Sequence, residues 1–366
     1  MATREATWAY RGRFGDAYGR TYFRRFGPGV VSSIGMGTYL GDPTVAVDDR
    51  YRAALVEGLE SGANLVDTAA NYRCGRSERV VGEALREASV DREAVVLATK
   101  GGFVPFDGAR PDDPAAYVRR TFVENGPLDP GDLARGSHAM TPAFLDATLD
   151  RSLSALGVET VDLYYVHNPE TQLTTRPRAA VYDLLEDAFA RLEERRTAGD
   201  IGAYGVATWD AFRVPPDDGR HLSLPTVVGR ARAAAERTGR DPADHGLAAV
   251  QLPFSATMAD AFTAEVHAVD GVDGPLSALA YADRVGLNAF VSAPLEQGAL
   301  ARSLPEAVAE TAAGDTPAQK ALNFARSAPG VTAALVGSGR PEHVRENLAA
   351  GTFDPLGARA FDETFA

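Results

Sequence analysis

Three apolar, β-branched runs in the sequence each end in an ionisable residue. Asp67 closes the run NLVD, Lys100 closes VVLATK and His167 closes VDLYYVH, while Tyr72 follows Asp67 in the segment TAANY. If these runs are parallel strands of one sheet, their carboxyl ends meet at one edge and the four side chains converge there. Taken singly, each residue has an ordinary structural interpretation as a cap, an ion-pair partner or a core residue. Taken together, in a chain with only two lysines, they favour a catalytic site.

These four residue types suit proton transfer. A tyrosine hydroxyl titrates at about pH 10, so it is a weak proton donor at neutral pH. A neighbouring ammonium is expected to lower its pKa. We therefore expect Lys100 to lie beside Tyr72, Asp67 to hold Lys100 charged, and a neutral His167 to orient a substrate carbonyl. The set contains no activated nucleophile and no metal-ligand cluster, so a hydride must come from a cofactor, for which a nicotinamide is the natural donor.

The elements around these residues predict a barrel. Short β-branched runs alternate with stretches of 3.6-residue periodicity, which is typical of repeated βα units and a parallel sheet. The eight predicted strands are VVSSIGMGTYL from Val30, NLVDTA from Asn64, VVLATK from Val95, VDLYYVH from Val161, IGAYGVAT from Ile201, LAAVQLPF from Leu247, LNAFVSAPL from Leu287 and TAALVGSG from Thr332. Helical patterns lie between them, such as the one that starts at Phe144 after the capping residue Thr141. Eight such units predict a closed (β/α)8 TIM barrel, and a doubly wound open sheet is the alternative.

The chain is expected to form a single domain. We divide it into an N-terminal extension over 1–29, the barrel over 30–350 and a C-terminal tail over 351–366. One connection interrupts the alternation of strands and helices: from 103 to 139 the chain is rich in Gly, Pro and Asp and has no sustained period. At that length it is either a lid or binding surface, or a poorly ordered insertion.

The amino-acid composition favours a protein that acts on small molecules. The 366 residues are 45% hydrophobic, which suffices for a large core, and 50 acidic against 37 basic side chains give a net charge of −13. That charge argues against binding to nucleic acid or to an anionic membrane. No apolar run approaches the roughly 18 residues of a membrane span, and the first residues lack a secretion signal, so we expect a cytoplasmic protein. The single cysteine excludes an intramolecular disulfide and a cysteine-based metal site, and no metal is expected.

The motifs carry a family resemblance. DTAANY followed by SERVVGEAL, together with ATKGG and DLYYVHNP, resembles the signature segments of the aldo-keto reductases. The resemblance covers roughly residues 30 to 350 and implies that Asp67, Tyr72, Lys100 and His167 are the catalytic residues. It also implies a single (β/α)8 barrel that binds NAD(P)H without the glycine-rich dinucleotide fingerprint. No such fingerprint follows the first predicted strand.

Further positions carry over from the same resemblance as cofactor contacts. Where the family usually has a Ser-Asn pair for the nicotinamide carboxamide, this chain has Ala207 and Thr208, and Gln251 matches the carboxamide-binding glutamine. Phe254 stands for a tyrosine that stacks on the nicotinamide. SAPLEQGAL resembles the loop over the pyrophosphate, and GSGRPEHVREN resembles the adenosine-phosphate segment. The candidates in these two segments are Ser292, Pro294, Leu295, Gly337, Ser338, Arg340, His343, Glu346 and Asn347.

The adenosine-phosphate segment also bears on the choice between NADPH and NADH. Family members that favour NADPH usually place a lysine and an arginine around the 2′-phosphate, and this chain has Gly337 and His343 there. Ser338 and Asn347 are retained, and Arg340 and Arg345 lie close enough in sequence to supply a substitute guanidinium. We therefore expect a modest preference for NADPH, with NADH as the other candidate cofactor.

The leading functional hypothesis is a reversible carbonyl reductase that acts on a small-molecule aldehyde or ketone, with the proton supplied by Tyr72. A cofactor-binding regulatory or channel-associated protein of the same fold is the alternative, which the retention of all four site residues disfavours. A lyase or isomerase that uses Lys100 as a Schiff base ranks lowest. The sequence identifies neither the substrate nor the oligomeric state. In such barrels the loops after the strands select the substrate.

Overall fold

The chain folds into a closed barrel of eight parallel strands, in a computed structural model that describes residues 1–365. An antiparallel hairpin of β1 (Phe23–Phe26) and β2 (Gly29–Ser32) precedes the barrel. The barrel strands are β3 (Ile34–Gly37), β4 (Leu65–Asp67), β5 (Val96–Gly101), β6 (Val161–His167), β7 (Ile201–Ala207), β8 (Leu247–Pro253), β9 (Asn288–Ser292) and β10 (Val331–Gly337). They follow one another in chain order around the barrel, and β10 pairs with β3 to close it.

Helices follow the barrel strands, and short local signals set their ends. The α-helices of the described chain are α1 (Arg4–Phe14), α2 (Val45–Glu60), α3 (Arg76–Glu87), α4 (Pro114–Val118), α5 (Pro142–Leu156), α6 (Arg178–Ala198), α7 (Leu224–Arg237), α8 (Asp260–Thr263), α9 (Ala278–Val285), α10 (Glu306–Thr311), α11 (Pro317–Ser327), α12 (Pro341–Ala349) and α13 (Ala358–Asp362). At the start of α5 the Thr141 side chain accepts the Phe144 amide, and Gly157 ends the helix in the left-handed conformation. Within residues 1–365, no helix combines the length and the apolar character that crossing a membrane requires.

The predicted (β/α)8 barrel is confirmed, and the open doubly wound sheet is wrong because the first and last barrel strands pair with each other. Each of the eight predicted segments overlaps a barrel strand, and the strand extends one residue beyond the segment at the end of β5 and at the start of β10. The first of them, from Val30, also contains part of the hairpin. There Val31 pairs with Arg24 of β1, whereas Met36 pairs with β4 and β10. The segment is therefore divided between two sheets.

The residues before the barrel close its amino end. Inside the barrel, apolar side chains such as Leu163 and Phe290 fill the space between the strands. The Phe26 ring of the hairpin packs 5.5 Å from the ring of Phe290. Arg24 donates a hydrogen bond of 2.6 Å to the carbonyl of Val331, the first residue of β10. These contacts cover the amino end of the barrel, whereas the carboxyl ends of the strands remain open for a site.

The insertion over 103–139 is a folded segment with its own small core. It contains α4 and a π-helical stretch, Arg119–Glu124, and its Val118, Phe122 and Leu128 cluster with Phe144 of α5. Its two ends are joined, since the Ala139 amide donates to the carbonyl of Gly102 at 2.8 Å. Of the two alternatives for this connection, the poorly ordered insertion is disfavoured, because these apolar residues bury one another against α5.

Candidate active site

One cavity of about 830 Å³ opens at the carboxyl ends of the barrel strands. Asp67 at the end of β4, Tyr72 in the loop that follows, and His167 at the end of β6 all line it. Lys100, near the end of β5, is buried behind Tyr72, with its Nζ 4.8 Å from the centre of the Tyr72 ring. The structure thus brings the four predicted catalytic residues together.

Asp67 and Lys100 form a buried ion pair. The Nζ of Lys100 lies 2.6 Å from Oδ2 of Asp67 and donates a second hydrogen bond of 2.8 Å to the carbonyl of Thr68. Burial alone would lower the pKa of Lys100, but the negative charge of Asp67 and the hydroxyl of Tyr72 outweigh it, so this pKa is raised. Lys100 is therefore held as an ammonium beside Tyr72.

Tyr72 sits in a loop that is anchored by the residue after it. Arg73 and Cys74 both have positive φ values, 49° and 59°. These lie in the left-handed region of backbone conformation, which residues other than glycine rarely adopt. The Arg73 guanidinium is buried, lies 2.5 Å from a carboxylate oxygen of Asp48 and donates to the carbonyl of Asp42 at 3.0 Å. These contacts hold a strained turn in place and so fix the position of Tyr72.

The pKa of Tyr72 is raised, because the effect of burial exceeds the opposing effect of the Lys100 ammonium. The expectation that the ammonium lowers this pKa below its usual value is therefore wrong in its net result, although Lys100 acts in the expected direction. At neutral pH the Tyr72 hydroxyl carries its proton. A protonated phenol at this position can donate a hydrogen bond or a proton to a ligand in the cavity.

His167 is neutral at the same end of the cavity. Burial, the Lys100 ammonium and His138 together hold its pKa well below the usual range. Its ring centre lies 5.9 Å from that of Tyr72, and its Nδ1 is buried without a hydrogen-bond partner. A neutral imidazole next to a phenol can orient a carbonyl group without adding a positive charge to the site.

Two polar groups in the cavity wall fit the carboxamide of a nicotinamide. Gln251 donates from Nε2 to Oδ1 of Asp67 at 2.7 Å, which fixes the orientation of its amide and leaves its Oε1 as an acceptor. Thr208 lines the same wall, and its Oγ1 is buried without a hydrogen-bond partner. A buried hydroxyl without a partner is costly unless a ligand satisfies it, so both residues fit an amide ligand.

Most of the other predicted cofactor residues also line this cavity. They are Ser292, Pro294, Leu295, Gly337, His343, Glu346 and Asn347. Ser338 and Arg340 are not among its lining residues. Ser338 accepts a hydrogen bond of 2.6 Å from Nδ2 of Asn347, and the Arg340 side chain is 58% exposed and lies 4.0 Å from Glu342. The amino end of α12, which begins at Pro341, adjoins this part of the cavity and favours an anion.

Phe254 does not face the cavity, so its predicted role in stacking on the nicotinamide is corrected. Its ring is fully buried and stacks on Phe324 of α11 at 5.8 Å, with Phe361 of α13 at 6.2 Å. Gln251 lies within β8, whereas Phe254 directly follows its last residue, Pro253.

Some residues of the site were not predicted from the sequence. Phe103, Asn71 and Asn168 line the cavity. Phe103 directly follows the segment ATKGG, so its nearness to Lys100 in sequence was an available signal. Nothing in the local pattern distinguished the two asparagines from ordinary loop residues.

Comparisons with known proteins agree with this geometry. The family model described as "Aldo/keto reductase family" matches residues 33–215, which is half of the chain. The NADH-specific methylglyoxal reductase of Escherichia coli is 30% identical over 190 residues, which cover 50% of this chain and 51% of that protein. The chain therefore spans about half the length of this relative.

Two further matches extend over most of the chain. A Schizosaccharomyces pombe protein, named as a candidate beta subunit of a voltage-gated potassium channel, is 23% identical over 88% of this chain and 85% of its own length. A crystal structure of an aldo/keto reductase from Klebsiella pneumoniae, in complex with NADP and acetate, superposes with a TM-score of 0.61. It is 21% identical and covers 94% of both chains, so this likeness shows the shared fold.

Proposed function

The chain belongs to the aldo/keto reductase family, and we propose that it is an NAD(P)H-dependent reductase of small-molecule aldehydes or ketones. The observation that carries the proposal is the cluster of Asp67, Lys100, Tyr72 and His167 at the cavity. A protonated phenol, an ammonium behind it and a neutral imidazole beside it form a proton-donating site for a carbonyl oxygen.

The bound cofactor would supply a hydride to the carbonyl carbon. On the protein side, the Tyr72 hydroxyl donates the proton that the carbonyl oxygen takes up. Lys100 stabilises the phenolate that remains, because its ammonium lies 4.8 Å from the ring centre and Asp67 keeps it charged. His167 holds the carbonyl oxygen near Tyr72 before transfer. In the reverse direction the same groups accept the proton from an alcohol.

The cofactor is NADPH or NADH. Thr208 and Gln251 would hold the carboxamide, and the cavity wall from Ser292 to Asn347 would hold the rest of the dinucleotide. NADP is bound in the Klebsiella pneumoniae structure, whereas the Escherichia coli relative is named as NADH-specific. We propose a modest preference for NADPH, since the exposed Arg340 guanidinium is only weakly paired and can turn toward a 2′-phosphate.

A regulatory protein that binds the cofactor with little turnover is the second candidate, and the Schizosaccharomyces pombe relative is the observation that favours it. The intact proton-donating cluster favours the enzyme. A Schiff base on Lys100 is disfavoured, because this reaction needs a neutral amine and the raised pKa keeps Lys100 charged. The cytoplasmic location stays a prediction.

The test is consumption of NADPH and NADH by the purified protein with a panel of aldehydes, ketones, sugars and quinones. Cofactor binding is measured in parallel by quenching of protein fluorescence. Turnover with at least one carbonyl class is the expected result. Tight cofactor binding with no turnover across the panel would support the regulatory protein, and no binding of either cofactor would overturn both candidates.

A further inference from the structure

A second buried histidine, His138, contacts the backbone of His167. It lies at the end of the insertion, is fully buried, and its Nε2 is 2.7 Å from the carbonyl oxygen of His167. A carbonyl oxygen only accepts hydrogen bonds, so Nε2 of His138 must carry the proton and donate it. The insertion thus reaches the residue that ends β6 from behind the cavity.

The other nitrogen of His138 is equally constrained. Its Nδ1 lies 3.0 Å from Nε2 of Gln172, which also donates to the carbonyl of His138 at 2.9 Å. The Oε1 of Gln172 accepts from Arg176 at 3.2 Å, so the amide of Gln172 presents its NH2 group toward the imidazole. Nδ1 must then accept, which fixes one neutral tautomer of His138. Burial, which lowers its pKa to about 4, acts in the same direction.

The contact also reaches the ring of His167 through Phe103. The Phe103 ring centre is 4.9 Å from that of His138 and 5.1 Å from that of His167, with both pairs packed edge to face. Gly102 makes this arrangement possible. A Cβ at that position would lie 2.6 Å from the His167 carbonyl oxygen and 3.2 Å from Nε2 of His138, at a backbone φ of 153°. Only glycine leaves room for the hydrogen bond between the two histidines.

We propose that His138 is a positioning residue for His167: its hydrogen bond fixes the carboxyl end of β6, and Phe103 between the two imidazoles fixes the ring. This inference rests on the proposed function for its kinetic consequence. It also assigns a role to the insertion, which holds a catalytic side chain from behind. Apart from Phe103 at its start, residues of the insertion do not line the cavity.

The experiment compares His138→Gln with His138→Asn. Both place an amide at the site, but the glutamine nitrogen reaches the position of Nε2, whereas the asparagine nitrogen reaches only that of Nδ1. In His138→Gln the donor to the His167 carbonyl is restored, and kcat should stay within about twofold of wild type. In His138→Asn that carbonyl is left unpaired, and kcat should fall about ten- to a hundredfold while the cofactor Kd is unchanged.

His267 provides the matched control. It is also fully buried, its Nε2 lies 2.9 Å from the carbonyl of Phe212, and its Nδ1 accepts from the amide of Leu224 at 3.3 Å. It is not a lining residue of the cavity. His267→Asn should therefore cost stability as His138→Asn does, and should leave kcat unchanged. Equal losses of kcat in both asparagine variants would overturn the proposal, because they would report general destabilisation.

A spectroscopic measurement keeps the inference testable without turnover. Long-range nitrogen–proton correlation spectra of the cofactor-free protein report the tautomer of each of the six histidines. We expect an Nε2-protonated His138 in the wild type, and shifted His167 resonances in His138→Asn but not in His138→Gln or His267→Asn. Unshifted His167 resonances in His138→Asn would overturn the positioning role. A wild-type protein that reduces no carbonyl would overturn the proposed function alone, since the spectra do not depend on activity.

Discussion

The two ends of the cavity differ in how deeply their charged side chains are buried. At the catalytic end, Asp67 and Lys100 are almost fully buried and lie 2.6 Å apart. At the other end, the arginines near the cavity are exposed: Arg345 pairs with Glu57 at 3.0 Å, and Arg340 is 4.0 Å from its nearest carboxylate. A buried charge at the first end is shielded from bulk water and depends on its partner, whereas an exposed charge at the second end is screened and free to turn.

Because of this difference in burial, we expect the residues that affect the reaction to respond to substitution differently from those that affect the choice of cofactor. Removal of one member of a buried pair leaves an uncompensated charge, so the catalytic end tolerates little change. Exposed side chains contribute little to stability, and their replacement changes only what they touch. We infer that the proton chemistry of this chain is fixed by burial. We propose that discrimination between NADPH and NADH depends on exposed side chains such as Arg340.

The largest effect is expected for Tyr72→Phe. The substitution deletes the proton donor and keeps the ring, so kcat should fall about 10²- to 10⁴-fold, the usual contribution of a positioned general acid. The cofactor Kd should stay near that of the wild type, because the ring still fills its place. Steady-state kinetics and fluorescence titration measure the two quantities. A variant that retained most of the wild-type rate would show that another group donates the proton.

Asp67→Asn breaks the buried pair and leaves the Lys100 ammonium without its counter-charge. The free energy of unfolding should fall by about 3 to 5 kcal/mol, with a loss of kcat as well. Urea denaturation measures the first quantity. Asp107→Asn is the control, because Asp107 is 69% exposed and its pair with Arg79 at 3.1 Å lies on the surface. Its effect should stay within about 1 kcal/mol, and equal losses in both variants would contradict the contrast between buried and exposed charge.

Phe254→Ala tests the correction made to the cofactor site. The ring is fully buried against Phe324 and Phe361, so its removal should cost about 3 to 5 kcal/mol of unfolding free energy. The Kd for NADPH and for NADH should not change, since the ring does not line the cavity. Urea denaturation and fluorescence titration distinguish the two results. Weaker cofactor binding at unchanged stability would restore the stacking role.

Acid should destabilise the protein through its buried histidines. His138 and His267 have pKa values lowered by burial to about 4, below the unfolded value of about 6.5. Between these values the unfolded chain binds more protons than the folded one, so stability falls as pH falls through that window. Each of the two should cost about 2 kcal/mol by pH 5. Urea denaturation at pH 7.5 and pH 5 measures the loss, and it should shrink in His267→Gln.

The smallest effect is expected for Arg340→Ala at the exposed end. If the guanidinium contacts the 2′-phosphate, NADPH binding should weaken by about 1 to 3 kcal/mol, the range of one charge-assisted hydrogen bond, and NADH binding should not change. Arg345→Ala is the control, since Arg345 is paired with Glu57. Equal losses for both cofactors would place Arg340 away from the phosphate. Tighter binding of NADH by the wild type would reverse the proposed preference.

The barrel and most residues of its candidate active site could be predicted from the amino-acid sequence alone. Strands and helices differ in the spacing of their apolar residues, and this spacing can be read from short stretches of sequence. For that reason β6, Val161–His167, was predicted with its observed bounds. The strand ends fixed which residues reach the rim. For that reason Asp67, Lys100 and His167 could be assigned to one site before their distances were known.

Properties that depend on contacts between distant segments could be read only from the folded protein. The net pKa of Tyr72 follows from how deeply the loop is buried, which no local pattern records. Phe254 packs against α11 and α13, more than sixty residues further along the chain, and so lies on the opposite face from the cavity. His138 meets the carbonyl of His167 only because the insertion folds back on itself and Gly102 leaves space for the imidazole. Local propensity specifies elements, whereas burial and long-range contact specify what each side chain does.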